Sequence, residues 1–211
     1  MKKFLFFSAV IVLVAFTKKA SRDEGWISLF DGKSLNGWKV GDNAATFSVD
    51  SGMIIVHGPR AHLFYVGPVH KADFKNFEFK TQVMTTPGSN SGIFIHTAYQ
   101  ETDWPHQGYE VQVNISHTDW RRTGSLYGVN DVREVYVKDW EWYTEYIKVQ
   151  GKHITIKIND HTVVDYNEPD SVAQNVPIGG KRLSHGTFAL QGHDPNSKVY
   201  FKDIFVKPLP D

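Results

Sequence analysis

The run Gly108-Tyr109-Glu110-Val111-Gln112-Val113-Asn114 alternates with a period of two. As a strand it sends Tyr109, Val111 and Val113 to one face and Glu110, Gln112 and Asn114 to the other. The second row carries the chemistry. Glu110 can take a proton or hold a ligand. Gln112, about 7 Å farther along the same face, can hydrogen-bond a hydroxyl but can neither attack carbon nor act as a proton-donating acid. Retaining cleavage of a glycosidic bond by two carboxylates needs a pair about 5 to 5.5 Å apart, and this strand supplies one.

A second group closes Gly186-Thr187-Phe188-Ala189-Leu190-Gln191-Gly192-His193. Alternation places Phe188 and Leu190 in a core and Ala189, Gln191 and His193 on the opposite face. Small residues at Ala189 and Gly192 leave room for a ligand beside that pair, and the His193 imidazole can serve as base, acid or metal ligand. His96 ends the strand Gly92 to Thr97 on the face of Phe94. The bland alternatives are a solvated sheet face for Glu110 and Gln112, and a strand-end cap for His193. The other eight histidines, His62 and His117 among them, read as surface or loop residues.

Strands must hold these groups. From Trp26 onward the chain is a series of short β-branched and aromatic runs broken by glycine, proline, asparagine and aspartate, with ten or more strand candidates and no 3.6-residue period. That pattern predicts one all-β sandwich domain over residues 25–210. Asp50-Ser51-Gly52-Met53 and Ile158-Asn159-Asp160-His161 read as hairpin turns. Between the strands, Trp104-Pro105-His106 and Trp120-Arg121-Arg122 place large rings in loops, where Trp104 and Trp120 are suited to stack on the apolar face of a pyranose. Trp142 and Tyr143 lead into a strand and read as structural, and Arg121 and Arg122 as solvated.

Bulk composition narrows the function. Residues 1–20 combine lysines with the apolar run Phe4 to Phe16, the pattern of a secretory signal, too short for a comfortable membrane span. No cysteine follows to take a lipid, so the expectation is an exported periplasmic or extracellular protein with no membrane anchor in the mature chain. The 23 basic and 23 acidic residues balance. The first twenty residues hold four lysines and no acid, so the remainder carries a formal −4. Without a basic stripe, nucleic acid is excluded as a partner. The absence of cysteine also excludes disulfides and thiolate metal sites.

Trp26-Ile27-Ser28-Leu29-Phe30-Asp31-Gly32-Lys33-Ser34-Leu35-Asn36-Gly37-Trp38 resembles the opening of the 3-keto-disaccharide hydrolase family. Matches follow in order at Asn90 to Ile95, Gly108 to Gln112, Thr123 to Gly128, Ala189 to His193 and Val199 to Leu209. The resemblance implies a concanavalin A-like jelly-roll sandwich of two curved antiparallel sheets, a site on the concave face, and action on sugars oxidised at carbon 3. A ketone there acidifies the hydrogen on carbon 2, so one base can start β-elimination of the carbon 1 substituent, and water then adds back. On this reading Glu110 and His193 are the acid/base pair, and Gln112, Gln191, His96, Tyr127, Trp104 and Trp120 bind a carbohydrate substrate. Burial among Tyr109, Tyr127 and nearby tryptophans would raise Glu110 toward the working pH. A divalent cation held by Glu110, His96 and His193 is a candidate cofactor for steadying an enolate oxygen, although no H-x-x-x-H spacing marks a metal site. The rivals are a non-catalytic carbohydrate-binding sandwich and an ordinary glycoside hydrolase.

Overall fold

The computed structural model describes residues 24–170 and 181–211; residues 1–20, expected from the sequence to be a secretory signal, lie outside them. Thirteen strands run in chain order: β1 Ile27–Ser28, β2 Trp38–Val40, β3 Phe47–Asp50, β4 Met53–His57, β5 Ala61–Tyr65, β6 Phe77–Thr85, β7 Asn90–Thr97, β8 Tyr109–Asn114, β9 Tyr143–Gln150, β10 His153–Ile158, β11 His161–Asn167, β12 Thr187–Gly192 and β13 Lys198–Pro208. They form two antiparallel sheets. The larger has the order β11-β10-β9-β6-β13-β4-β3, with β1 paired to β13, and the smaller has the order β2-β5-β12-β7-β8. This is the all-β jelly-roll sandwich that the alternation and the resemblance predicted. No helix among the described residues is long and apolar enough to cross a membrane.

The two sheets bury different amounts of themselves. β6, β9 and β10 alternate between buried residues and half-buried or exposed ones, as a sheet with one wet face does. In contrast, β5, β7 and β12 are buried at every position. One face of the small sheet packs Leu63, Ile93, Val111, Val113, Phe188 and Leu190 into the common core. The other face is roofed by loops and carries Glu110, Gln112 and Gln191 as the floor of a hollow. Gln112 and Asn114 are 0% exposed and Glu110 is half-buried, so the polar row of the Gly108–Asn114 run is the floor of a recess and not an open solvated face.

Local backbone chemistry sets the register. Both hairpin turns are present: Ser51 and Gly52 take positive φ at the first, and Asn159 does so at the second, conformations that Gly and Asn tolerate best. Three strands lie outside the candidates that the sequence pattern marks: β1 and β2 are only two and three residues long, and β5, Ala61-His62-Leu63-Phe64-Tyr65, is buried on both faces and shows no alternation.

Candidate active site

A cavity of about 370 Å³ opens over the small sheet, with Glu110 and Gln112 of β8, Gln191 of β12, and His193, Trp104 and Tyr127 from the connections among its lining. Six of the eight sequence-predicted site residues therefore meet in one place.

Glu110 owes its position to a missing side chain. In the register of β7 and β8, Phe94 pairs with Glu110 and Gly92 with Gln112, and β12 runs along the far side of β7. The Glu110 side chain leans across Gly92 to β12, where Gln191 Nε2 donates to its Oε1 at 2.8 Å. A Cβ on Gly92 would stand 2.6 Å from that same oxygen. Burial pushes the Glu110 carboxyl up to about 7, against the opposing pull of the Gln191 hydrogen bond and the charge of Lys181; burial disfavours the ionised form.

His193 is oriented by its neighbour. Its Nδ1 meets Asp194 Oδ2 at 2.8 Å. The same carboxylate accepts Ser197 Oγ at 2.7 Å and the backbone N–H of Asn196 at 2.8 Å. Partial burial works against the Asp194 charge, but these hydrogen bonds outweigh it and hold the carboxyl below its ordinary value. An ionised Asp194 requires the proton of neutral His193 to sit on Nδ1. Nε2 then carries the lone pair, with no hydrogen-bond partner among the described residues.

Hydrogen-bond direction also fixes the amides. The backbone N–H of Asp119 donates to His117 Nδ1 at 3.1 Å, and Asn90 Nδ2 lies 3.4 Å from the same nitrogen. Asn90 therefore turns its Oδ1 to Gln112, whose Nε2 donates to it at 2.9 Å. What remains is the Gln112 Oε1, and on β12 the Gln191 Oε1, both buried and without a donor among the described residues. Such acceptors are costly unless something donates to them, and hydroxyls are suitable donors.

The walls are aromatic and cationic. Trp104 lies 5.6 Å from the His193 ring and 5.4 Å from the edge of His62. Far from being a surface residue, His62 is 2% exposed, and burial pushes it down to about 3, so a neutral ring braces Trp104. Lys181, which the sequence reading did not single out, also lines the cavity. Its Nζ donates to the Tyr127 carbonyl and lies 4.8 Å from the centroid of the Tyr127 ring. Nothing in Gly179-Gly180-Lys181-Arg182 marked it, because its placement depends on tertiary contacts. Glu168 Oε2 accepts both Tyr109 Oη at 2.5 Å and the N–H of Leu183 at 2.6 Å, tying this stretch to β8.

Three sequence expectations need correction. His96 does not reach the cavity, because its φ of 54° breaks the alternation and turns the ring away from the face of Phe94. It packs edge-on to Phe77, donates from Nε2 to the Lys75 carbonyl at 2.9 Å and accepts the Ser184 N–H at Nδ1, a structural clip that burial keeps neutral. Trp120 does not line the cavity either; it stands 40% exposed, with the guanidinium groups of Arg121 and Arg133 at 4.7 and 4.0 Å from its ring. Arg121 and Arg122 are engaged rather than solvated: Arg121 pairs with Asp131 at 3.2 Å, and Arg122 Nη1 donates to the carbonyls of His117 and Asp119.

The cation set Glu110, His96 and His193 is thereby broken up. His117, His193 and Asp194 do bring one ligand atom each within 4.8 Å of one another. In the arrangement seen, however, Asp194 is occupied by Ser197, Asn196 and His193, and His117 Nδ1 by Asp119. That donor set suits an oriented imidazole.

Residues 25–207 match the model of the 3-keto-alpha-glucoside-1,2-lyase-like domain. A 3-keto-disaccharide hydrolase of Bacteroides thetaiotaomicron is 27% identical over 88% of this chain and 79% of its own length. Among solved structures, a candidate glycosyl hydrolase of Parabacteroides distasonis superposes with a TM-score of 0.73 at 23% identity, covering 89% of this chain and 95% of that one. A carbohydrate-binding module of Bacillus subtilis superposes with a TM-score of 0.54 at 12% identity, over 81% and 95% of the two chains. At these identities the structural likenesses establish the fold.

Proposed function

Because the chain belongs to the family of 3-keto-alpha-glucoside-1,2-lyase-like domains, we propose that it is an enzyme that cleaves the glycosidic bonds of 3-keto-glycosides by elimination and hydration. The observation that carries this reading is the pair of proton-transfer groups in one cavity: a carboxyl whose proton is held to about pH 7 and an imidazole whose Nε2 lone pair is free. The cavity lining contains a single carboxylate, which argues against an ordinary two-carboxylate glycosidase. A binding module would use the amides and Trp104 but has no need of a carboxyl poised near neutral pH.

The roles follow from protonation. His193 Nε2 takes the carbon 2 proton; the C–H electron pair becomes the C2=C3 bond, and the ketone π pair moves to oxygen. Return of that pair re-forms the ketone, makes the C1=C2 bond and breaks the bond from carbon 1 to the leaving oxygen, which takes the Glu110 proton. Water then adds to carbon 1 and a proton returns to carbon 2, giving net hydrolysis. The orphaned Gln112 and Gln191 oxygens accept substrate hydroxyls, and Asp194 is the positioning residue that keeps the His193 proton on Nδ1. Export to the periplasm or beyond rests on the signal pattern of residues 1–20.

A matched pair of disaccharides, one oxidised at carbon 3 and one not, tests the reading. Purified protein should release the carbon 1 substituent only from the oxidised sugar. Cleavage of the unoxidised sugar alone, or binding of both without turnover, would reject it.

A further inference from the structure

We propose that Lys181 is the third catalytic group, its ammonium holding the negative charge that develops on the carbon 3 oxygen when carbon 2 loses its proton. The proposal rests on the elimination reading above.

Lysine is seldom buried unless an acidic partner accompanies it. Lys181 is only 8% exposed, and among the described residues no ion pair joins it to a carboxylate. One of its three N–H donors is committed, to the Tyr127 carbonyl. Gly128 makes room for it, since a Cβ there would lie 3.3 Å from the Lys181 Nζ. The ammonium shares the cavity with Glu110 and His193; burial holds it below the ordinary lysine value, against the attraction of the Glu110 and Asp131 charges.

A desolvated cation with no carboxylate at ion-pair distance gains far more from an oxyanion than from a neutral ketone. The substrate is uncharged at this position, and the charge appears only once the C–H pair has moved onto oxygen. Lys181 therefore stabilises the enolate more than the ground state, which is the difference that accelerates a reaction. The lysine exchanges no proton in the step; it accompanies the charge on oxygen until the pair returns and the leaving group departs.

Exchange at carbon 2 isolates this role. Free 3-keto-glucose with D2O has no leaving group beyond its own hydroxyl, so loss of the carbon 2 hydrogen, followed by NMR, reports enolate formation alone. Wild-type protein should catalyse the exchange, and Lys181→Met should lose about 10²–10³-fold of it, the cost typical of removing one oxyanion donor. The chain contains no cysteine, so Lys181→Cys introduces a unique thiol. Alkylation with 2-bromoethylamine rebuilds an ammonium there and should restore exchange, whereas alkylation with iodoacetamide, which is neutral, should not. Rescue by charge separates catalysis from folding. A folded Lys181→Met that exchanges at the wild-type rate, or equal rescue by both reagents, would overturn the role of the lysine alone. A wild-type protein that neither exchanges carbon 2 nor cleaves 3-keto-glycosides overturns the elimination reading and this role with it.

Discussion

Glu110 occupies the space that a side chain at Gly92 would fill: the carboxylate oxygen that accepts the Gln191 amide at 2.8 Å is 2.6 Å from where a Gly92 Cβ would stand. Gly92→Ala should therefore displace the carboxylate while leaving the strand intact, because Gly92 does not need a left-handed backbone. The expected result is a loss of about 10²-fold in kcat/KM, the scale of an ångström-sized misplacement, with little change in Tm. Activity assays and thermal melts of the variant check both halves.

Glu110→Gln keeps the shape of the protonated acid but removes the transferable proton. Turnover should fall by about 10²–10⁴-fold. In the wild type, the acid is lost as pH rises through about 7, so kcat/KM should decline on the alkaline side of that value, and the decline should be absent from the residual activity of the variant. A pH profile of both proteins measures this.

Asp194→Asn offers His193 Nδ1 an N–H in place of an acceptor. The imidazole then carries its proton on Nε2 and cannot act as base. Turnover should fall by about 10²–10⁴-fold with KM little changed. Because Asp194 also accepts Ser197 Oγ and two backbone N–H groups, a modest loss of Tm should accompany it.

Glu145 gives a prediction for stability. It is 0% exposed in the sandwich core, neither oxygen has a partner among the described residues, and burial holds its carboxyl well above the ordinary value. A raised native pKa means the folded state keeps its proton longer than the unfolded chain does. This stability is complete below about pH 4.3, the unfolded carboxyl value, and drains away as pH rises toward the native pKa. Glu145→Gln is neutral throughout. The stability of the variant relative to wild type, from denaturant unfolding, should climb as pH rises above the unfolded carboxyl value of about 4.3, by up to about 1.4 kcal/mol per pH unit. A constant difference would contradict the assignment.

Regular alternation made much of this protein legible before its structure. Alternation along β8 and β12 puts Glu110, Gln112, Gln191 and His193 on the face opposite the core, and the family resemblance adds that this face is the hollow one. Legibility failed where the backbone breaks the period. The left-handed φ of His96 reverses its direction, and β5, buried on both faces, offers no alternation to read. It also failed for contacts made only by tertiary structure: Arg121 and Arg133 stack on Trp120, and Lys181 reaches the cavity from a connection with no motif of its own.

In the proposed reaction the His193 imidazole removes the carbon 2 proton of a sugar activated at carbon 3, and the Glu110 carboxyl protonates the departing oxygen. A single-turnover comparison of a 3-keto-glycoside carrying protium or deuterium at carbon 2 tests this most directly. The account predicts slower cleavage of the deuterated sugar, with no cleavage of the parent alcohol. Equal rates for the two isotopologues, together with cleavage of the alcohol, would contradict it.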